Sequence, residues 1–435
     1  MLAKALSSGK NELLAVVRER AFQSLWVGQI SSQLASNTLL FVLALRIYQT
    51  TGSNAVVSGL FMVYGIPALL FGMIAGTIVD KLDNRSVLLA CDLARACLVL
   101  GFLFFSGSVV FIYILTFIGS LISQYYVPAE APLIPRLVKG GKHLVIANSL
   151  FSFTYFSSLA IGSIVAGPLL RLFGTTGVFI IISVLFLFAF TRVRGIPREE
   201  HTEQVLRRFF TLSPGYLLRR LYANSRDGIS YVMQAPALRE SLLLLTGTQI
   251  IFALLGTLGP GFADRVMHVE VTDASLLITG PAVLGIIVGA LWVGNGGYRY
   301  SPRTLINAGI IGAGIVLLIL SFVVYLPSVS IIARSVARPI MIAIGILLFF
   351  LLGVANGVLD GPANSMLQKE AQGNMRGRVY GMLTAAVGGL GIVPVVTGGL
   401  LADMLGVDKV ITILGLAITC FGIYRLKYAK DVKSL

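Results

Sequence analysis

Along the chain, apolar stretches of about 20 residues alternate with short breaks rich in charge, glycine and proline. They fall near 23–46, 54–79, 86–106, 109–135, 146–170 and 175–191, and resume near 238–263, 273–295, 303–325, 339–362, 377–402 and 407–424. A helix crosses the hydrocarbon core of a bilayer in about 20 residues, so the pattern predicts twelve transmembrane helices in two sets of six. The one long polar stretch, 192–237, lies between the sets. The expected organisation is therefore a lead over 1–22, a six-helix half over 23–191, a linker over 192–237, a second half over 238–424 and a tail over 425–435.

Composition excludes the other classes. Of 435 residues, 56% are hydrophobic and 12% charged, with mean hydropathy +0.87, against about 25% charged for a soluble domain. Disorder, collagen-like repeats and a disulfide scaffold fail on the same numbers, because apolar residues dominate and there are three cysteines. Cys91, Cys97 and Cys420 all fall inside predicted spans, which fits reduced, packed thiols better than a disulfide or metal site.

The formal charge of +15 acquires meaning once it is sorted by loop. With the N-terminus inside, 27 Lys and Arg residues fall on the inner side and six on the outer, with Arg95 inside a span. Basic loops are retained in the cytoplasm, so both termini are expected there, and the charge calls for no nucleic acid. The basic leader runs directly into the first span without a small-residue cleavage site, and is expected to be retained as an amphipathic lead. Within the linker, Ser213-Pro214 opens a helix whose Leu217, Leu218, Leu221, Tyr222, Ile229 and Val232 recur at helical spacing beside Arg219, Arg220 and Arg226. A basic amphipathic helix on the inner leaflet is expected.

The halves resemble each other. Gly167-Pro-Leu-Leu-Arg-Leu-Phe-Gly174 matches Gly399-Leu-Leu-Ala-Asp-Met-Leu-Gly406, and Pro128-Ala129 with Leu133 matches Pro362-Ala363 with Leu367, at nearly one offset. Duplication of a six-helix unit in the same orientation is a transporter architecture.

Between spans two and three the chain reads Gly76-Thr-Ile-Val-Asp80-Lys81-Leu-Asp83-Asn-Arg85. The loop resembles the signature of the major facilitator superfamily, which implies a cytoplasmic latch built from Gly76, Asp80 and Arg85. Pro128-Ala-Glu130 through Arg136-Leu-Val138, Ala147-Asn148-Ser149-Leu150, Asp227-Gly228-Ile-Ser-Tyr231 and Arg376-Gly377-Arg378-Val379 are similar to the twelve-helix drug:proton antiporters related to macrolide-efflux proteins and the enterobactin exporter. Gly167-Pro168 is similar to the antiporter motif of span five, where Arg171 and Leu172 replace its paired glycines, and span one carries no carboxylate.

Charged side chains inside a bilayer are costly and usually face a cavity or a partner. Asp92 and Arg95, three apart on span three, can pair on one helix face and are expected to support the latch, the alternative being substrate binding. Glu130 on span four either pairs with Arg85 or Arg95 or carries a proton. Asp360 on span ten has no basic partner in its span and is the foremost proton candidate; the alternative is an acid satisfied by Asn356, Asn364 or Lys369. On span one, Gln29, Gln33 and Asn37 make a polar stripe that lines the cavity or bonds to a neighbouring helix. The other cavity candidates are Gln124, Tyr125, Tyr155, Gln249, Phe252 and Asn356.

The expectation is an inner-membrane secondary transporter, monomeric and without cofactor. It would export a small amphipathic organic molecule in exchange for protons, with membrane lipids as the remaining partner. An uncoupled facilitator or a lipid or lysophospholipid flippase is the competing reading. An enzyme is disfavoured because His143, His201 and His268 fall in loops away from any nucleophile motif and no Walker-type run exists. A sensor would need an output domain.

Overall fold

The computed structural model describes residues 15–428 except 80–81, 106, 139, 198–231, 326–333 and most of 371–390. The linker helix, Asp80, the Asp227 to Tyr231 motif and Arg376 to Arg378 lie outside the described residues. Those that are described form helices and no strand, as hydrocarbon requires of a chain that must satisfy its backbone internally. The elements are α1 (Arg20–Thr51), α2 (Asn54–Val79), α3 (Asn84–Phe105), α4 (Val109–Glu130), the short α5 (Leu133–Leu137) and the long α6 (Gly141–Val193). After the linker come α7 (Pro236–Arg265), α8 (Gly280–Gly296), α9 (Pro302–Tyr325), α10 (Arg334–Glu370), α11 (Ile392–Leu405) and α12 (Val407–Tyr428).

Ten of the described helical stretches are long and apolar enough to cross a membrane. One of them, α6, has the length of two spans. It breaks at Gly174, whose φ of 63° and ψ of 178° suit only a residue without Cβ. This is the boundary expected between spans five and six. A 3₁₀ turn at Val271–Asp273 and a π-helical turn at Ser275–Thr279 precede α8, where the sequence predicts a plain helix from 273.

Local caps explain several helix starts. Asp83 Oδ2 accepts the Ser86 N–H at 3.0 Å before α3, Ser53 Oγ accepts the Val56 N–H at 3.2 Å before α2, and Ser301 Oγ accepts the Thr304 N–H at 3.2 Å before α9.

The chain forms two compact units, Met1–Leu43 with Val63–Tyr222, and Ala44–Met62 with Ala223–Leu435. In the first, α1, α3, α4 and α6 converge on a core that includes Phe22, Leu25, Leu88, Tyr126, Ala129 and Phe151. Phe22 packs on Phe151 at 5.9 Å, and Phe102 on Phe179 at 5.4 Å. A Cβ at Gly162 would stand 2.9 Å from Asn37 Cβ and from the Thr38 nitrogen, so α6 meets α1 nearly backbone to backbone there.

In the second unit, α8 and α10 meet almost backbone to backbone. A Cβ on Gly285 or Gly289 would run into the Phe350 or Val354 carbonyl, and one on Gly353 or Gly357 into the Ala282 or Ile286 carbonyl. Two small-xxx-small pairs thus interlock, the usual way membrane helices approach closely. The second core joins α7, α9 and α10 through Leu238, Leu245, Ile306, Ile310, Leu359 and Ala363. Outward-facing side chains are apolar, with Phe104, Leu172 and Met404 among the most exposed, as lipid contact demands. All three cysteines are free. Of the three thiols expected to be packed, only Cys91 is buried; Cys97 and Cys420 are exposed, because they fall on the outward faces of α3 and α12.

Candidate transport machinery

The first unit holds a buried polar group at the meeting of α1, α3 and α4. Arg95 donates from Nη2 to Asp92 Oδ1 at 2.8 Å and to Ser32 Oγ at 3.0 Å, from Nη1 to Ser36 Oγ at 3.3 Å, and from Nε to the Cys91 carbonyl at 3.3 Å. Ser32 donates in turn to Asp92 Oδ1 at 2.9 Å. The Arg95 guanidinium lies 4.5 Å from the Tyr126 ring centre and 4.9 Å from that of Phe186. Aromatic faces attract a desolvated cation, so the arginine is satisfied on every side.

The acids are not. Asp92 Oδ2, Glu130 Oε1 and the Tyr126 hydroxyl are buried without a hydrogen-bond partner among the described residues, and Glu130 is within electrostatic reach of both Asp92 and Arg95. Beside this group lies a cavity of about 40 Å³ bordered by Ser36, Tyr64, Arg95, Phe102, Thr116 and Ser120. That is room for at least one water molecule.

Asp92 and Arg95 stand about 12 and 17 Å along α3 from its first residue, at 1.5 Å per residue. Their partners are on α1, and Arg85 is elsewhere engaged: its Nη2 donates at 2.9 Å to the Arg194 carbonyl at the end of α6. Gly76 faces α4, where a Cβ would sit 4.0 Å from the Pro128 ring. The structure therefore brings Asp92, Arg95 and Glu130 together, but holds Arg85 apart from them.

Of the span-one stripe, Gln29 Oε1 and Asn37 Nδ2 are buried without a partner among the described residues, and Gln33 is half-buried. Gln124 donates at 3.1 Å to the Ser120 carbonyl of its own helix. Tyr125 packs against the core, and Tyr155 is 49% exposed. None of these borders the cavity beside Arg95. In the second unit, Asp360 accepts a hydrogen bond from Thr248 Oγ1 at 3.0 Å. Asn356 is buried with Oδ1 unpartnered among the described residues, and Gln249 and Phe252 are half-buried on α7.

Sequence reasoning passed over Ser32, Ser36 and Thr248. Ser32 and Ser36 repeat the four-residue spacing of the stripe, one position earlier than Gln33 and Asn37, and that spacing was the available signal. Thr248 carried none, since a hydroxyl in an apolar helix ordinarily bonds its own backbone, as Thr248 also does to the Leu245 carbonyl at 2.9 Å.

The family model of the Major Facilitator Superfamily matches residues 25–396. The chain belongs to that superfamily. It is accordingly a multi-pass membrane transporter and not an enzyme. Among superfamily relatives, the uncharacterized MFS-type transporter YfiS of Bacillus subtilis (strain 168) is 22% identical over 406 residues, covering 91% of this chain and 90% of that one. Macrolide efflux protein A of Streptococcus pyogenes is 23% identical over 415 residues, covering 92% and 94%. A crystal structure of the nucleoside transporter NupG shares the fold at a TM-score of 0.70 and 13% identity, covering 94% and 99%.

Proposed function

We propose that this superfamily member is a proton-coupled exporter of a small amphipathic organic molecule, working by alternating access with both termini cytoplasmic. The similarity to a macrolide efflux protein along nearly the whole of both chains carries the export reading. The inner latch would be formed by Gly76, Asp80 and Arg85, and the scarcity of buried charge suits a weakly charged substrate better than a polyanion.

Charge balance favours Glu130 over Asp360 as the coupling acid. Arg95 offsets Asp92, so an ionised Glu130 would leave the buried group with one uncompensated negative charge, which low-dielectric surroundings oppose. A proton on Glu130 removes that charge, and its release to one side of the membrane would be coupled to rearrangement around Arg95. An ionised Asp360 would be uncompensated too, but it has the Thr248 hydroxyl as donor, whereas Glu130 has a second acid within electrostatic reach and Oε1 with no hydrogen-bond partner among the described residues.

Purified protein in liposomes loaded with a fluorescent amphipathic cation tests this reading. Efflux should accelerate when an inward-directed proton gradient is imposed. The Glu130→Gln variant should lose that acceleration, while Asp360→Asn keeps it. Flux indifferent to the gradient in the unsubstituted protein would instead indicate an uncoupled facilitator.

A further inference from the structure

At the end of the bundle away from the α2–α3 loop, the turn between α1 and α2 is gripped by side chains of α7 and α11, all within the second unit. Asp403, near the end of α11, accepts hydrogen bonds from Ser53 Oγ at 2.5 Å, the Asn54 N–H at 2.9 Å, the Ala55 N–H at 3.0 Å and Asn54 Nδ2 at 3.1 Å. One carboxylate thus takes up the free N–H groups opening α2, where the helix dipole favours negative charge. Arg265, ending α7, donates to the Gly52 carbonyl at 2.5 Å and lies 3.6 Å from Asp403 Oδ1. The Tyr48 hydroxyl donates to Asp264 Oδ2 at 3.2 Å. Gly399, one turn before Asp403, permits the approach, since a Cβ there would stand 2.7 Å from the Asn54 carbonyl oxygen and Ser58 Oγ.

We propose that Asp403, with Ser53, Asn54 and Arg265, is a reversible clasp that closes this end of the transport pathway. The clasped segment, Ala44–Met62, belongs in sequence to the first six-helix repeat, whereas α7 and α11 belong to the second. Alternating access requires such segments to part, and the inference rests on that reading. The chemistry suits a contact that opens: the side chains of Asp403 and Arg265 are 23% and 40% exposed, so water can replace each bond as it breaks, and little is lost per bond. An apolar contact of the same extent would expose surface that water cannot satisfy. The device is also one-sided, because the repeat that relates 167–174 to 399–406 puts Arg171 where Asp403 stands.

The test places spin labels at Gln49→Cys and Met404→Cys, both exposed, with Cys91, Cys97 and Cys420 replaced by alanine. Pulsed dipolar spectroscopy then reads the α1 to α11 distance in purified protein. The unsubstituted clasp should give a dominant short distance. Asp403→Asn should lower the short-to-long ratio about tenfold, the difference between a charge-assisted and a neutral set of hydrogen bonds, and Ser53→Ala should lower it less. If Asp403→Asn folds poorly, Ser53→Ala alone decides. An unchanged distance distribution in folded variants overturns the proposal, as does a lowered melting temperature without a shift in distance, which would make Asp403 a structural cap only. No substrate is needed, so an absent proton-driven efflux with the distance shift present would sink the exporter reading and leave the clasp standing.

Discussion

Removing one partner of the Asp92–Arg95 pair should cost far more than removing both. The side chains are 0% and 7% exposed at 2.8 Å separation. A buried ion pair broken on one side typically loses about 3–5 kcal/mol, because the remaining charge stays buried without its counter-charge. Asp92→Leu belongs at the lower end, near 3 kcal/mol, since Arg95 keeps Ser32, Ser36, the Cys91 carbonyl and two aromatic faces. Arg95→Met belongs at the upper end, since it leaves Asp92 with the Ser32 hydroxyl and a neighbouring acid, Glu130. Replacing both, as Asp92→Leu with Arg95→Met, removes the desolvation cost together with the attraction and should return stability to within about 1 kcal/mol of the starting protein. The cycle should therefore be non-additive by more than about 3 kcal/mol. The chain has two tryptophans, Trp26 in the first unit and Trp292 in the second. In a Trp292→Phe background, Trp26 fluorescence during unfolding in mixed micelles reports the first unit alone. Its indole N–H bond to Thr154 Oγ1, at 2.8 Å, makes it sensitive to loss of the α1–α6 contact. Single substitutions each costing under about 1 kcal/mol, or a double substitution costing their sum, would refute the reasoning.

The α8–α10 contact and the Asp360 environment give two further expectations. Gly353→Ala should destabilise the second unit by about 2 kcal/mol or more, because the obstructing atoms are backbone of α8 and cannot rotate away, whereas Gly294→Ala, with open space around it, should be neutral or gain up to about 1 kcal/mol of helix propensity; Trp292 fluorescence in a Trp26→Phe background reads both. Thr248→Val removes the donor to Asp360 and should cost about 1.5–3 kcal/mol if Asp360 is ionised. With Glu130 as the coupling acid, that variant's flux should still respond to a proton gradient, and a lost response would transfer the role to Asp360.

Most of the architecture was legible in one dimension, because the bilayer imposes a rule that needs no partner: a segment either has about 20 apolar residues or does not cross. The all-helical membrane class, a boundary between spans five and six and the superfamily followed from composition, run lengths and a loop motif. Candidate acids were legible too, since a charge within an apolar run announces itself. Their partners were not. Whether Arg95 serves the latch or α1 depends on which face of α3 meets which helix, and Ser32 and Ser36 look in sequence like ordinary hydroxyls of an apolar span. Asp403 shows the limit most clearly. In sequence it is one acid at the end of a span, some 350 residues from Ser53, and only the packing of α11 against the α1–α2 turn makes it the acceptor of four hydrogen bonds. Hydrophobic burial is a property of each segment and can be read locally, whereas the direction of a polar side chain acquires meaning only when another helix brings the group that answers it.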